Sequence, residues 1–134
     1  MSEEEITVHE AEDDPRNQHI LIYVNGNIVP RPEAKISVYD SGFMLGDGVW
    51  EGLRFYNGKW AFLDEHIRRL FEAAKAIDLD INLEKAQLVE ALEKTRLANR
   101  ITKDAHARLM VTRGIKARPF QHPSLSILGP TIVI

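Results

Sequence analysis

The sequence predicts an α+β fold, a largely antiparallel sheet carrying two helices, and three observations support it. Short β-branched and aromatic runs are joined by Asn25-Gly26 and Asn57-Gly58, the dipeptide that most strongly signals a tight hairpin. At Asp64 the apolar period changes from that of a strand to that of a helix, and it stays helical to about Asn99. Strand character returns from Ala105. Strands, then helices, then strands is the order of an α+β domain and not of alternating βαβ units.

Residues 1–19 are charged, lack an apolar period and read as an acidic mobile tail, leaving 20–134 as the folded domain. Ile20 to Val24 is the first strand, and Asn27 to Pro30 returns beside it as an edge strand, since proline cannot donate to a ladder. Ile36 to Tyr39 leads into the glycine-rich segment Asp40 to Gly48. A strand then runs from Val49 to Tyr56 and turns back into Lys59 to Leu63. Asp64 is placed to N-cap the first helix, whose stripe is Ile67, Leu70, Phe71, Ala74 and Ile77. Asn82 is placed to cap the second, with Leu88, Ala91, Leu92, Thr95 and Ala98 buried and Asn99 as a left-handed stop. Ala105 to Thr112 is a strand, Gly114 breaks it, and residues 118–123 read as a loop. Thr131 to Ile134 starts another strand that has nothing after it, which predicts a chain cut short.

Composition excludes several functional classes. A length of 134 residues suits one domain, and 44% hydrophobic with 28% charged residues is ordinary for a globular chain. There are no cysteines, hence no disulfides, thiolate metal sites or cysteine nucleophile. No apolar run approaches the roughly 20 residues of a membrane helix. The acidic opening lacks the basic start and apolar middle of a secretory signal. These features fit a cytoplasmic protein.

Seven of the 20 acids precede Pro15 with no base among them, so the rest of the chain sets 13 acids against all 17 bases. That surplus suits an anionic small ligand. Basic residues do not cluster with aromatics on one face, which argues against a nucleic-acid partner.

The chemistry-bearing segment is Asp40 to Arg54. Strand alternation from Val49 places Val49, Glu51, Leu53 and Phe55 on one side and Trp50, Gly52, Arg54 and Tyr56 on the other. Two aromatics, a guanidinium and a gap at Gly52 make a wall for a carbon skeleton bearing a carboxylate. Read by spacing alone, Trp50 and Tyr56 are core and Arg54 reaches outward. Gly46-Asp47-Gly48 is not a dinucleotide fingerprint, because a strand follows it. Arg68 and Arg69 stand near a helix start that already favours anions, but Arg69 borders the buried stripe, where an arginine more often braces neighbouring loops than binds a ligand. His66 reads as a surface or capping residue and has no second metal ligand at helical spacing. Arg113-Gly114 and Arg118 to His122 read as a solvated basic loop. Ser37, Ser41, Ser124 and Ser126 lack the setting of a nucleophile elbow.

Taken together, several pieces resemble the class IV (fold-type IV) pyridoxal-phosphate enzymes, which include branched-chain aminotransferases, D-amino-acid aminotransferases and aminodeoxychorismate lyase. The pieces are Tyr23 to Gly26, Val38 to Gly42, Gly46 to Arg54, Phe62 to His66, Arg69-Leu70 and Arg108 to Gly114. They run in order from about Ile20 to Ile134. The resemblance implies the small N-terminal domain of such an enzyme, with pyridoxal 5′-phosphate held between it and a larger domain. It implies that Arg69 holds the cofactor phosphate and that Trp50 lines the substrate side, sharing its face with Gly52 and Arg54.

It further implies that the loop after Gly114 closes over the substrate, with Arg118 and His122 similar to an arginine/histidine carboxylate clamp of the D-amino-acid branch. That branch has one residue between the pair, and here there are three. Leu45 stands where branched-chain members often carry tyrosine, and Ala107 falls about where they place a carboxylate-binding arginine. The lysine that bonds covalently to the cofactor is expected beyond Ile134, so no catalytic residue is assigned within the chain.

The implied parent is a homodimeric transaminase acting on an amino acid and a 2-oxo acid. A branched-chain donor is first choice and a D-amino acid second. An aminodeoxychorismate lyase and a cofactor-free binding or dimerisation module are the alternatives. By itself the chain is expected to be inactive, to expose an apolar patch and to self-associate.

Overall fold

The computed structural model describes residues 14–118 and 122–134. The acidic stretch up to Asp13 and residues 119–121 of the basic loop therefore lie outside the described residues. From Asp14 the chain makes a 3-10 turn over Pro15–Asn17 and enters β1 (Leu21–Val24) and β2 (Asn27–Pro30). Asn25 and Gly26 both take positive φ, 48° and 92°, so the hairpin turn is of the primed kind whose twist suits paired strands. A short helix α1 (Ser41–Leu45) precedes β3 (Gly48–Tyr56) and β4 (Lys59–Trp60). Helices α2 (Leu63–Ala76) and α3 (Lys85–Ala98) follow, then β5 (Ala105–Thr112) and β6 (Thr131–Val133).

Every strand pair is antiparallel, in the order β2-β1-β6-β5-β3-β4. This is the expected α+β architecture, with β2 at one edge as its proline requires. The longest pairing joins β3 to β5, from Gly48 opposite Thr112 to Phe55 opposite Ala105. Strand β6 closes the gap to β1, where Tyr23 and Ile134 exchange two backbone hydrogen bonds of 3.0 Å.

The core lies between one sheet face and the helices. Leu53, Leu109 and Val111 from the sheet meet Leu70 of α2 and Leu88 and Leu92 of α3, each no more than 1% exposed. Truncating one such leucine to alanine costs about 2–5 kcal/mol. Asn99 ties α3 to the sheet by accepting from the Leu21 amide at 2.7 Å and donating to its carbonyl at 2.8 Å, as a neighbouring strand would. Among the described residues no helix is long and apolar enough to cross a membrane.

Several local expectations need correction. Within the glycine-rich segment a short helix forms that was not anticipated: Asp40 accepts from the Gly42 amide at 2.8 Å and so caps α1, which Gly46 ends at φ 65°. Helix α2 starts one residue before Asp64, after a left-handed Phe62, so Asp64 serves in the first turn beside Glu65 and not as the cap. Helix α3 is capped by Glu84 in a capping box with Gln87, while Asn82 sits earlier in a left-handed turn. At its far end Asn99 has φ −85°, and the left-handed residue is Arg100.

Candidate active site

Strand β3 separates two environments. Its alternation turns Glu51, Leu53 and Phe55 inward, and leaves Trp50, Arg54 and Tyr56 exposed with the partly covered Gly52 between them. The outward aromatics are not core, as spacing alone had suggested. Trp50 is 57% exposed and Tyr56 54%, because both helices pack on the other face.

Register brings residues of β5 to the same outward face: Met110 opposite Trp50, Arg108 opposite Gly52 and His106 opposite Arg54. The Arg108 guanidinium lies 4.0 Å from the centre of the Trp50 ring, a cation–π stack. A Cβ on Gly52 would come within 3.0 Å of the His106 ring, so the missing side chain makes room for that imidazole, not for an open gap. Arg54 is already engaged. It donates Nε and Nη2 to Asp104 at 3.1 and 2.9 Å, and its guanidinium lies 5.1 Å from the centre of the Tyr56 ring. Each member of this pair stabilises the other's charge, holding Asp104 below and Arg54 above the ordinary range.

Arg108 has no carboxylate partner among the described residues, so its hydrogen-bonding edges are available while Trp50 holds its face. Ala107, considered as the position of a carboxylate-binding arginine, lies opposite Leu53 and packs against the core. The outward arginine is one residue further on. Arg108, His106 and Asp104 escaped the sequence reading because they matter only through their register with β3. Applying period-two alternation to Ala105–Thr112 is the signal that would have found the first two.

On the inward side, Glu51 is 4% exposed and gathers α2 onto the sheet. Arg69 donates Nε to its Oε1 at 2.5 Å and Nη2 to its Oε2 at 2.7 Å, while His66 Nδ1 stands 2.8 Å from Oε2. His66 is thus neither a surface residue nor a cap. The hydrogen bonds from Arg69 lead in holding Glu51 below its ordinary range, against a burial that pushes the other way. Arg69 itself is 68% exposed, and its Nη1 has no partner among the described residues.

A second buried cluster anchors the loop after β5. Arg113 donates Nε to Asp47 at 2.9 Å, Nη1 to the Asp78 carbonyl at 2.7 Å and Nη2 to the Ile77 carbonyl at 2.6 Å. Lys116 reaches the same Asp47 oxygen at 2.5 Å. Burial would raise the Asp47 pKa, but the bonds from Arg113 and Lys116 outweigh it and hold the carboxyl below its usual range. Arg113 is therefore buried structure, at 6% exposure, and not part of a solvated basic loop.

Arg118 lies elsewhere. With Ser41, Met44, Leu45 and Lys116 it lines a cleft of about 260 Å³. His122 takes a local role, its Nδ1 accepting from the Ser124 amide at 3.3 Å to cap the turn Pro123–Leu125. Of the residues singled out in the sequence, Trp50, Gly52 and Arg54 share one face, Arg69 stands on the helix side of the same strand, Arg118 lines the cleft beside α1, and His122 caps the turn Pro123–Leu125.

An aromatic and cationic face thus lies on one side of β3, and an arginine held on a buried acid on the other. Residues 48–129, more than half of the chain, match the amino-transferase class IV family, and the chain belongs to that family. It is 40% identical over 120 residues to branched-chain-amino-acid aminotransferase-like protein 1 of Arabidopsis thaliana, covering 90% of this chain and 22% of that one. It is 42% identical over 95 residues to the D-alanine aminotransferase of Listeria monocytogenes, covering 71% and 32%.

Among solved structures it is similar to the branched-chain aminotransferase of the thermophilic archaeon Thermoproteus uzoniensis with norvaline. The TM-score is 0.71 at 27% identity, over 86% of this chain and 39% of that one. Another solved branched-chain amino acid aminotransferase, complexed with N-(5′-phosphopyridoxyl)-L-glutamate, aligns with a TM-score of 0.76, also at 27% identity. It covers 87% of this chain and 39% of that one. The chain thus spans well under half the length of these relatives.

Proposed function

We propose that residues 20–134 are the small domain of a pyridoxal-phosphate-dependent aminotransferase that moves an amino group between an amino acid and a 2-oxo acid. The observation that carries this reading is the outward face of β3 and β5. There Arg108 lies stacked on Trp50 with its edges open, on strands within the class IV match. In this role Arg108 receives the substrate carboxylate, Trp50 bounds the carbon skeleton, and Arg54, fixed by Asp104, limits the site at its other end.

The residues fit the cofactor. Arg69 has a free, exposed Nη1 beside its anchored edge, suited to one oxygen of a phosphate. Because Glu51 offsets its charge, the other phosphate donors are supplied by the rest of the parent protein. When bound, pyridoxal phosphate supplies the electron sink that amino-group transfer needs. The lysine that bonds to it belongs to the part beyond Ile134, so this chain alone is expected to be inactive.

Branched-chain amino acids are the first-choice donors, supported by the plant relative and the solved structures. D-Amino acids are second, supported by the Listeria relative. A homodimer in the cytoplasm completes the proposal. Exposed Val38, Tyr39, Phe43 and Leu128, at 66% to 72%, supply apolar surface for self-association, and the absence of cysteine suits a reducing compartment.

The test is the full-length protein assayed with L-leucine, L-valine or D-alanine as donor and 2-oxoglutarate as acceptor. Arg108→Ala is expected to raise KM for the preferred donor by about tenfold or more, the worth of a charged hydrogen bond. Cofactor absorbance is expected to stay unchanged. No transfer from any donor, in protein that has bound the cofactor, overturns the reading.

A further inference from the structure

The geometry points to Glu51 as the positioning residue of the phosphate site, holding Arg69 by one edge so that the other is presented to the cofactor phosphate. This rests on the reading of Arg69 given above. Three observations carry it. Glu51 is 4% exposed on a strand whose inward neighbours are apolar, so its carboxylate is a fixed acceptor and not a solvated one. Both of its oxygens are used by one guanidinium in the fork geometry, which fixes the plane of Arg69 as well as its place. His66, one helical turn before Arg69, stands 2.8 Å from the second oxygen and gives the carboxylate a third contact from α2.

An exposed arginine without such a clamp samples many rotamers and loses that freedom on binding. Here the cost is met in the fold, by a bond between β3 and α2. The same strand presents Trp50 on its opposite face, so β3 couples the placing of the phosphate to the placing of the substrate wall.

The experiment is spectroscopic titration of the full-length protein with pyridoxal phosphate and with pyridoxal, which lacks the phosphate. The variants are Arg69→Ala, Glu51→Gln, Glu51→Asp and the double variant Glu51→Gln/Arg69→Ala. Glu51→Gln is expected to weaken pyridoxal phosphate by about tenfold and to leave pyridoxal unchanged. Glu51→Asp, which keeps the charge but shortens the reach, is expected to fall between. In the Arg69→Ala background Glu51→Gln is expected to have no further effect, since the two act as one unit.

Equal loss of both ligands in the Glu51 variants, or failure to fold, makes Glu51 a residue of the fold alone and overturns the inference. So does a Glu51→Gln effect that persists without Arg69. If Arg69→Ala discriminates between the ligands and Glu51→Gln does not, only the role of Glu51 falls. If Arg69→Ala changes neither affinity, the reading of Arg69 falls with it.

Discussion

Arg113 and Arg69 each lean on a buried carboxylate, and they differ in how much of each guanidinium the fold uses. The Arg113 side chain is 7% exposed and spends Nε on Asp47 and both terminal nitrogens on carbonyls at the end of α2. Those carbonyls belong to the C-cap Ile77 and to Asp78 just after it, where a cation suits the helix dipole. Arg69 is 68% exposed, spends one edge on Glu51 and keeps Nη1 unspent among the described residues. A guanidinium bonded through all three of its nitrogens is a structural tie. One held by a single edge keeps donors in reserve, which is what the proposed phosphate contact requires.

Breaking the tie is expected to have the largest effect. Arg113→Ala strands Asp47 beside Lys116 and frees two helix-end carbonyls, and is expected to cost about 3–5 kcal/mol, as removal of one partner of a buried pair does. Urea unfolding at unchanged m-value reads it. A loss within the surface range would place Arg113 in the same class as Arg69.

Gly114→Ala comes next. Gly114 has φ 77°, and a Cβ there would overlap the Gly129 carbonyl oxygen. The expected cost is about 1–3 kcal/mol from backbone strain and overlap, checked by thermal unfolding. A neutral result would show that the loop anchored by Arg113 moves freely.

Acid sharpens the comparison, because both carboxylates are held below their ordinary values, 3.8 for Asp47 and 4.5 for Glu51. In acid the unfolded chain binds more protons at these groups than the folded one, so stability rises with pH. Their contribution is complete above those ordinary values and is lost as pH falls through the depressed ones. Asp47→Asn is therefore expected to flatten the acid limb of a stability–pH curve. An unchanged slope would mean that other carboxylates govern acid unfolding.

Arg54→Ala is expected to change least. Its pair with Asp104 is exposed on both sides, 61% and 56%, and solvent and salt screen such pairs. An unchanged unfolding midpoint is expected. A shift as large as that of Gly114→Ala would make the outward face part of the fold and not a surface free for ligand.

What could be read in advance was whatever a residue does through its near neighbours in the chain. Both Asn-Gly hairpins, the stripes Ile67-Leu70-Ala74 and Leu88-Ala91-Leu92-Thr95, and the two faces of β3 followed from local period and turn chemistry. Helix caps were misplaced by one or two residues because Asp64, Asn82 and Glu84 all have capping chemistry, and packing selected among them.

The sequence by itself determined the α+β class, the order of its elements and the sharing of one strand face by Trp50, Gly52 and Arg54, because spacing along the chain encodes which way each side chain points. Only the tertiary structure decided that Arg108 rather than Ala107 faces outward over Trp50, that His106 fills the space above Gly52, and that Arg113 is spent on Asp47 while Arg69 is clamped by Glu51. These pairings join residues far apart in the chain. They depend on the register of β3 with β5 and on the seating of α2, and distance in space, not order in sequence, sets the strength of a hydrogen bond or an ion pair.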